Sequence, residues 1–101
     1  MDFKKEEGRI FLENEEGKTI AEVVFPTGPD GVALITHTRV DPSLQGQGVA
    51  GKLLDAVVEE LRAKGQKTRA TCWYAVEWFG YNPDKKDVYI EDPEYNPSCN
   101  L

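Results

Sequence analysis

Eight consecutive residues, Gln45-Gly46-Gln47-Gly48-Val49-Ala50-Gly51-Lys52, constrain this chain more than any other stretch. They place three glycines between a β-branched run ending at Val40 and the longest amphipathic pattern in the sequence. Glycine lets the backbone turn sharply and lets a ligand come close to it, while the first N–H groups of the following helix have no partner within the helix. A strand that feeds such a turn at a helix start makes an anion site, and phosphate or pyrophosphate is its expected occupant.

The rest of the chain supplies the frame for that loop. Arg9–Glu13 and Thr19–Phe25, separated by the polar turn around Gly17, predict an antiparallel hairpin. Pro26–Gly31 is a loop, because two prolines and two glycines do not fit a strand ladder. Val32–Val40 is the longest strand candidate. Simple alternation puts Val32, Leu34, Thr36, Thr38 and Val40 on one face and Ala33, Ile35, His37 and Arg39 on the other, unless a bulge breaks the phase. Asp41-Pro42-Ser43 ends it.

From Val49 to Lys64, Ala50, Leu53, Leu54, Val57, Val58 and Leu61 recur at helical spacing, and Gly65 is a stop. Gln66–Thr71, following this crossover helix, is expected to be a strand parallel to the one ending at Val40. Cys72–Phe79 predicts a short helix, stopped by Gly80 and Asn82-Pro83, and residues 85–101 read as a loosely packed polar tail. The expected product is one α+β domain, residues 1–101, with a mixed sheet of about four strands.

Charge and composition narrow the function. A net charge of −6 opposes nucleic acid as a partner, since neutralising phosphates needs a clustered basic face. The same charge favours a cationic substrate such as an amine. No stretch is apolar enough to span a membrane and no secretory signal is legible, so a cytoplasmic location is expected. Cys72 and Cys99 are then read as thiols, Cys99 as incidental in the tail. No metal is expected.

The loop satisfies three patterns at once. Gly46-x-Gly48-x-x-Gly51 matches the dinucleotide motif, but that reading needs an acid about 20 residues on to hold a ribose, where Lys67-Thr68-Arg69-Ala70-Thr71 has none. Gly46-x-x-x-x-Gly51-Lys52 matches most of a P-loop, but Leu53 stands where a magnesium-binding hydroxyl belongs. Gln45-x-x-Gly48-x-Ala50 resembles the pyrophosphate loop of the GNAT superfamily of acetyl-CoA-dependent N-acetyltransferases. His37-Thr38-x-Val40-x-Pro42 before the loop and Cys72 at the start of the last helix strengthen the resemblance, which covers roughly residues 9–84 and is to the very small, single-domain members.

That resemblance implies a GNAT-like fold and a use for each residue. Gln45, Gly46, Gln47, Gly48, Val49, Ala50, Gly51 and Lys52 would hold the CoA pyrophosphate, with backbone N–H groups and the helix dipole facing it. Thr38, Arg39 and Val40 would bind the pantetheine arm through their backbone, on a strand whose bulge opens a slot, and an N–H near Val40 would stabilise the oxyanion. His37 is the only histidine and a candidate base. Cys72, at a helix start, is a candidate acyl acceptor, and Tyr74 a candidate acid for the departing thiolate. The expected activity is acetyl transfer from acetyl-CoA to an amine, small or on a protein, by direct attack or through Cys72, in a monomer or homodimer. The alternative is a non-catalytic acyl-CoA-binding or regulatory domain.

Overall fold

Three antiparallel strands open the chain in the computed structural model, which describes residues 2–91. β1 (Lys4–Glu6), β2 (Arg9–Glu13) and β3 (Thr19–Val24) pair in sequence order, and β5 (His37–Val40) joins the far side of β3. The β2–β3 hairpin matches the pattern of its residues: Ile10, Ala21 and Val23 turn inward and are fully buried. The sequence hides β1, because Lys4-Lys5-Glu6 is wholly exposed and gives no alternation. Charged residues of that kind suit a sheet edge.

The long strand expected over residues 32–40 is two strands. β4 (Ala33–Ile35) and β5 meet at Thr36, whose N–H donates to the Val24 carbonyl at 3.0 Å although His37 is the ladder partner of Val24. One residue too many is accommodated there, a bulge. The phase of the side chains therefore slips: Ala33 and Ile35 are buried before it and Thr38 after it. β4 pairs in parallel with β6 (Thr68–Ala70), so the sheet divides into a four-stranded antiparallel part, β1-β2-β3-β5, and a two-stranded parallel part, β4-β6. The described residues form six short strands where about four were expected.

Between β5 and β6 runs α1 (Val49–Lys64), with the limits its periodicity predicts. It buries Val49, Leu53, Leu54, Val57, Val58 and Leu61 against Ile10, Val23 and Ile35, and ends at Gly65 in the left-handed conformation. Each such aliphatic side chain removed from water contributes roughly 1.5–3 kcal/mol, so this one face holds much of the core together.

α2 (Trp73–Tyr81) follows β6, with Cys72 at its N-cap. It runs through Gly80, where the sequence suggested a stop, because one glycine costs a helix only about 1 kcal/mol. Its end comes at Asn82, whose side-chain amide donates to the Trp78 carbonyl at 2.8 Å. The described part of the tail, up to Glu91, is packed where a loose segment was expected. Pro83–Val88 forms a 3-10 helix, Val88 is buried, and the Tyr89 ring stacks on Phe79 at 4.2 Å between centroids. Ile90 N–H donates to the Thr68 carbonyl, so this segment lies along the outer edge of β6. Arg62 on α1 holds Asp87 through two hydrogen bonds, and Lys85 pairs with Asp55. Cys99 and the rest of the tail lie outside the described residues. Among these, no helix is long and apolar enough to cross a membrane.

Candidate functional site

The bulge at Thr36 makes room for a site. The Ile35 carbonyl accepts from the N–H groups of both Thr71 and Cys72, at 2.9 and 3.2 Å, and this is where the pairing of β4 with β6 ends. Beyond it β5 stays with β3 while the chain after β6 turns into α2. β5 is left as an edge. Its ladder is fixed by Asp41 N–H donating to the Ile20 carbonyl at 2.8 Å, and alternation then makes Arg39 the hydrogen-bonded partner of Glu22. The N–H and C=O groups of Thr38 and Val40 consequently point away from β3, toward the open side.

Along that side lies a cleft of about 540 Å³. His37, Thr38, Arg39 and Val40 form its strand wall, Leu44, Gln45, Gly46, Gly48, Val49 and Ala50 its loop and helix end, and Tyr74 of α2 the opposite wall. The volume is ordinary for a small-molecule site.

The loop end suits an anion. Asp41 accepts from the Ser43 N–H at 2.9 Å, which starts a short 3-10 helix at Pro42–Leu44 and holds the Asp41 carboxyl below the usual carboxylate range. Gly46 and Gly48 then have φ of +83° and +70°, conformations that strain any residue with a Cβ. Gly48 is the N-cap of α1, and Lys52 N–H is the donor that reaches its carbonyl, at 3.1 Å. The four earlier N–H groups, those of Gly48, Val49, Ala50 and Gly51, have no acceptor within the helix. No side chain caps them among the described residues, and the first turn carries no acid. A Cβ added at Gly46 or Gly48 would meet no atom within 4 Å, so the space before these donors is open.

Tyr74 and His37 face this cleft from its two walls. Burial raises the pKa of the Tyr74 phenol, with a smaller contribution from Cys72, so Tyr74 keeps its proton through the neutral range and can donate it. His37 is partly exposed and alternates with buried Thr38. Glu22 is shared by Arg9, at 2.8 Å, and Arg39, at 3.7 Å.

Most of the residues picked out from the sequence come together here. His37, Thr38, Arg39, Val40, Gln45, Gly46, Gly48, Val49, Ala50 and Tyr74 line the cleft, whereas Gln47, Gly51, Lys52 and Cys72 do not. Gly51 sits in the first turn of α1, where a Cβ would come within 3.6 Å of Trp78 Nε1. Cys72 is fully buried in the core beside Ala75 and Ile35, so its thiol lacks the access that an acyl acceptor needs. Leu44 was missed. An isolated apolar residue in a polar loop belongs to no periodic pattern, and only the fold turns it toward the cleft.

Comparison with known proteins gives a consistent picture. A family model described as GCN5-related N-acetyl-transferase matches residues 9–88. The solution structure of a GCN5-like candidate N-acetyltransferase from Staphylococcus aureus is similar at a TM-score of 0.76 and 30% identity, covering 94% of this chain and 93% of that one. Tetrahymena GCN5 is similar at a TM-score of 0.59 and 17% identity, covering 88% of this chain and 63% of that one. Glucosamine-6-phosphate N-acetyltransferase from Arabidopsis thaliana is similar at 0.54 and 16%, covering 92% and 65%. The last two likenesses concern the fold alone, and the chain spans just under two thirds of those longer proteins. No curated protein sequence matches this chain.

Proposed function

Since the chain belongs to the GCN5-related N-acetyltransferase family, we propose that it transfers the acetyl group of acetyl-CoA to an amine by direct attack. The observation that carries this reading is the uncapped N-terminus of α1, opening on a cleft that runs along the free edge of β5. Four unpaired N–H groups and a helix dipole suit a pyrophosphate, and the outward N–H and C=O groups of Thr38 and Val40 suit the amides of an extended arm. Acetyl-CoA supplies an activated acyl carbon. The residues supply the rest.

An N–H near Val40 donates to the oxygen that gains charge as the amine nitrogen bonds to the acyl carbon. His37 receives the proton that this nitrogen loses, directly or through water. As the carbon–sulfur bond breaks, the Tyr74 phenol, which lines the cleft and holds its proton at neutral pH, gives that proton to the departing sulfur. Cys72 takes no part, being buried behind the α2 end of the cleft.

Acetyl-CoA titration followed by thermal unfolding is the direct test. Saturable binding that raises Tm is expected, about 2.7 kcal/mol of stabilisation at a hundredfold excess over Kd. No shift at millimolar CoA would overturn the reading. Binding without transfer to any of a panel of amines, peptides and polyamines would retain the cleft and remove the enzyme.

A further inference from the structure

Of the four arginines in the chain, three are engaged by the protein itself. Arg9 donates to Glu22 at 2.8 Å, to Glu6 at 3.1 Å and to Thr19 at 3.2 Å, with its guanidinium over the Phe11 ring at 3.8 Å. Arg62 holds Asp87 with two hydrogen bonds, and Arg69 donates to Asp30 at 3.0 Å. Arg39 is the exception among the described residues. The carboxylate it approaches is Glu22, 3.7 Å from Nε, which is beyond hydrogen-bond distance, and Glu22 is already bonded to Arg9. Asp41 lies within its field, but the Asp41 carboxylate accepts from the Ser43 N–H instead. A guanidinium presents five N–H donors in a fixed fork, and the protein leaves those of Arg39 unused.

Its place in the sheet decides what can use them. Arg39 and Glu22 are ladder partners whose side chains share the face of the sheet opposite α1, since Ala21, Val23 and Thr38 are the ones turned to the core on which α1 packs. His37, two residues earlier, shares that outer face, about 7 Å away along the strand. The α1 donors that suit a pyrophosphate therefore belong to one side of β5, and an amine delivered to His37 comes from the other, past Arg39. Among the described residues that line the cleft Arg39 carries the charge, and no carboxylate stands beside it to hold a second ammonium group. The local sign is the reverse of the chain's net charge of −6. A cation in an otherwise uncharged cleft attracts an anion and repels a further cation.

We propose that Arg39 binds the acceptor, its guanidinium holding a carboxylate or phosphate of an amine whose nitrogen lies at His37. The acceptor class is then an anionic amine, such as an amino acid or a phosphorylated amino alcohol, and not a polyamine or a lysine-rich peptide. This rests on the reading of the cleft as an acetyl-transfer site and adds the sign of its substrate. Carboxylate and phosphate offer the same paired oxygens to a guanidinium fork, and matched acceptors tell them apart.

The test compares kcat/KM of the natural chain and of Arg39→Gln at saturating acetyl-CoA on matched acceptors, corrected for the fraction of free amine: β-alanine with β-alaninamide, phosphoethanolamine with ethanolamine, and spermidine as a cation. The natural chain is expected to prefer the anionic member of at least one pair. Arg39→Gln is expected to lower kcat/KM for that member about tenfold more than for its neutral twin, through KM rather than kcat, the effect of one lost charge-assisted hydrogen bond. Arg39→Lys, which keeps the charge without the fork, is expected to recover part of the loss. The pair that responds assigns the group as carboxylate or phosphate. Arg39 is exposed and its ion pair is long, so both variants are expected to fold. Equal losses on both members of each pair overturn the proposal, as does a natural chain that prefers spermidine or the neutral amines. Calorimetric Kd for acetyl-CoA separates the other source of an anion: a rise as large as the acceptor loss places the guanidinium on a phosphate of CoA and overturns the assignment. Failure of the natural chain to bind acetyl-CoA, or to acetylate any of these amines, overturns the transferase reading itself, and shows before any variant is compared.

Discussion

At the scale of single residues, Tyr74 and Cys72 stand two residues apart at the start of α2 and meet opposite fates. Tyr74 lines the cleft and is held protonated by burial, whereas Cys72 is sealed in the core. Tyr74→Phe is therefore expected to lower turnover about a hundredfold, a usual effect of losing a general acid, while leaving the Kd for CoA nearly unchanged. With Tyr74 in place, that acid function should persist through neutral pH and be lost only above the ordinary tyrosine range of about 10, because the folded-state pKa is raised. Cys72→Ala should leave turnover within about twofold and instead cost stability, as removal of a small buried side chain does. Steady-state rates of the two variants against pH, with mass spectrometry for an acetylated thiol, check the pair; an adduct on Cys72 would reverse the assignment. Gly48 is a residue of another kind, needed for what it lacks. Gly48→Val forces a β-branched residue to φ of +70° and fills the space before the α1 donors, so acetyl-CoA should no longer raise Tm, and the free protein should lose about 1–2 kcal/mol.

At the scale of elements, the site depends on a single extra residue between two strands. Deleting Thr36 would join β4 to β5 in one continuous phase, with Ala33, Ile35 and Thr38 still turned inward, and would remove the bulge at which β5 parts from β6. The cleft depends on that parting, so acetyl-CoA in excess is expected to raise the Tm of the natural chain and not that of the deletion variant, as thermal melts with and without ligand will check. Elements differ in how far the sequence betrays them. α1 was legible in its limits and in Leu53, Leu54, Val57, Val58 and Leu61, which repeat at one period until a glycine closes the helix, whereas in the first turn Val49 is buried and the expected Ala50 only partly so. The loop was legible because glycine at positive φ is hard to replace. β1 was not, since an exposed edge strand needs no apolar pattern. The bulge was anticipated only as a possibility, because nothing about threonine marks position 36; the slip exists to satisfy β3 and β6 at once. The packing of residues 83–90 was hidden for a related reason: Val88, Tyr89 and Ile90 find their partners at Phe79 and Thr68, which local composition does not reveal. The burial of Cys72 is likewise set by the convergence of β4, β6 and α2 rather than by its neighbours in sequence.

At the scale of the whole molecule, a radius of gyration of 13.0 Å is that of a compact chain of this length, so the cleft is cut into a small body with little to spare around it. The described sheet has exposed strand borders to manage, and it treats them differently. β1 carries Lys4, Lys5 and Glu6 outward, and β6 is covered by the segment from Val88 to Ile90. Only the border along β5 has neither guard, since its outward peptide groups at Thr38 and Val40 face the cleft. An unguarded strand is a template for any other extended chain, including a second copy of this protein. The cosubstrate would then do double duty as a stopper, keeping the molecules apart by occupying the border through which they would otherwise join. Light scattering on warming should detect association of the free protein at concentrations where the CoA-loaded protein stays dispersed; equal scattering from both would show that the border is protected by something other than its ligand.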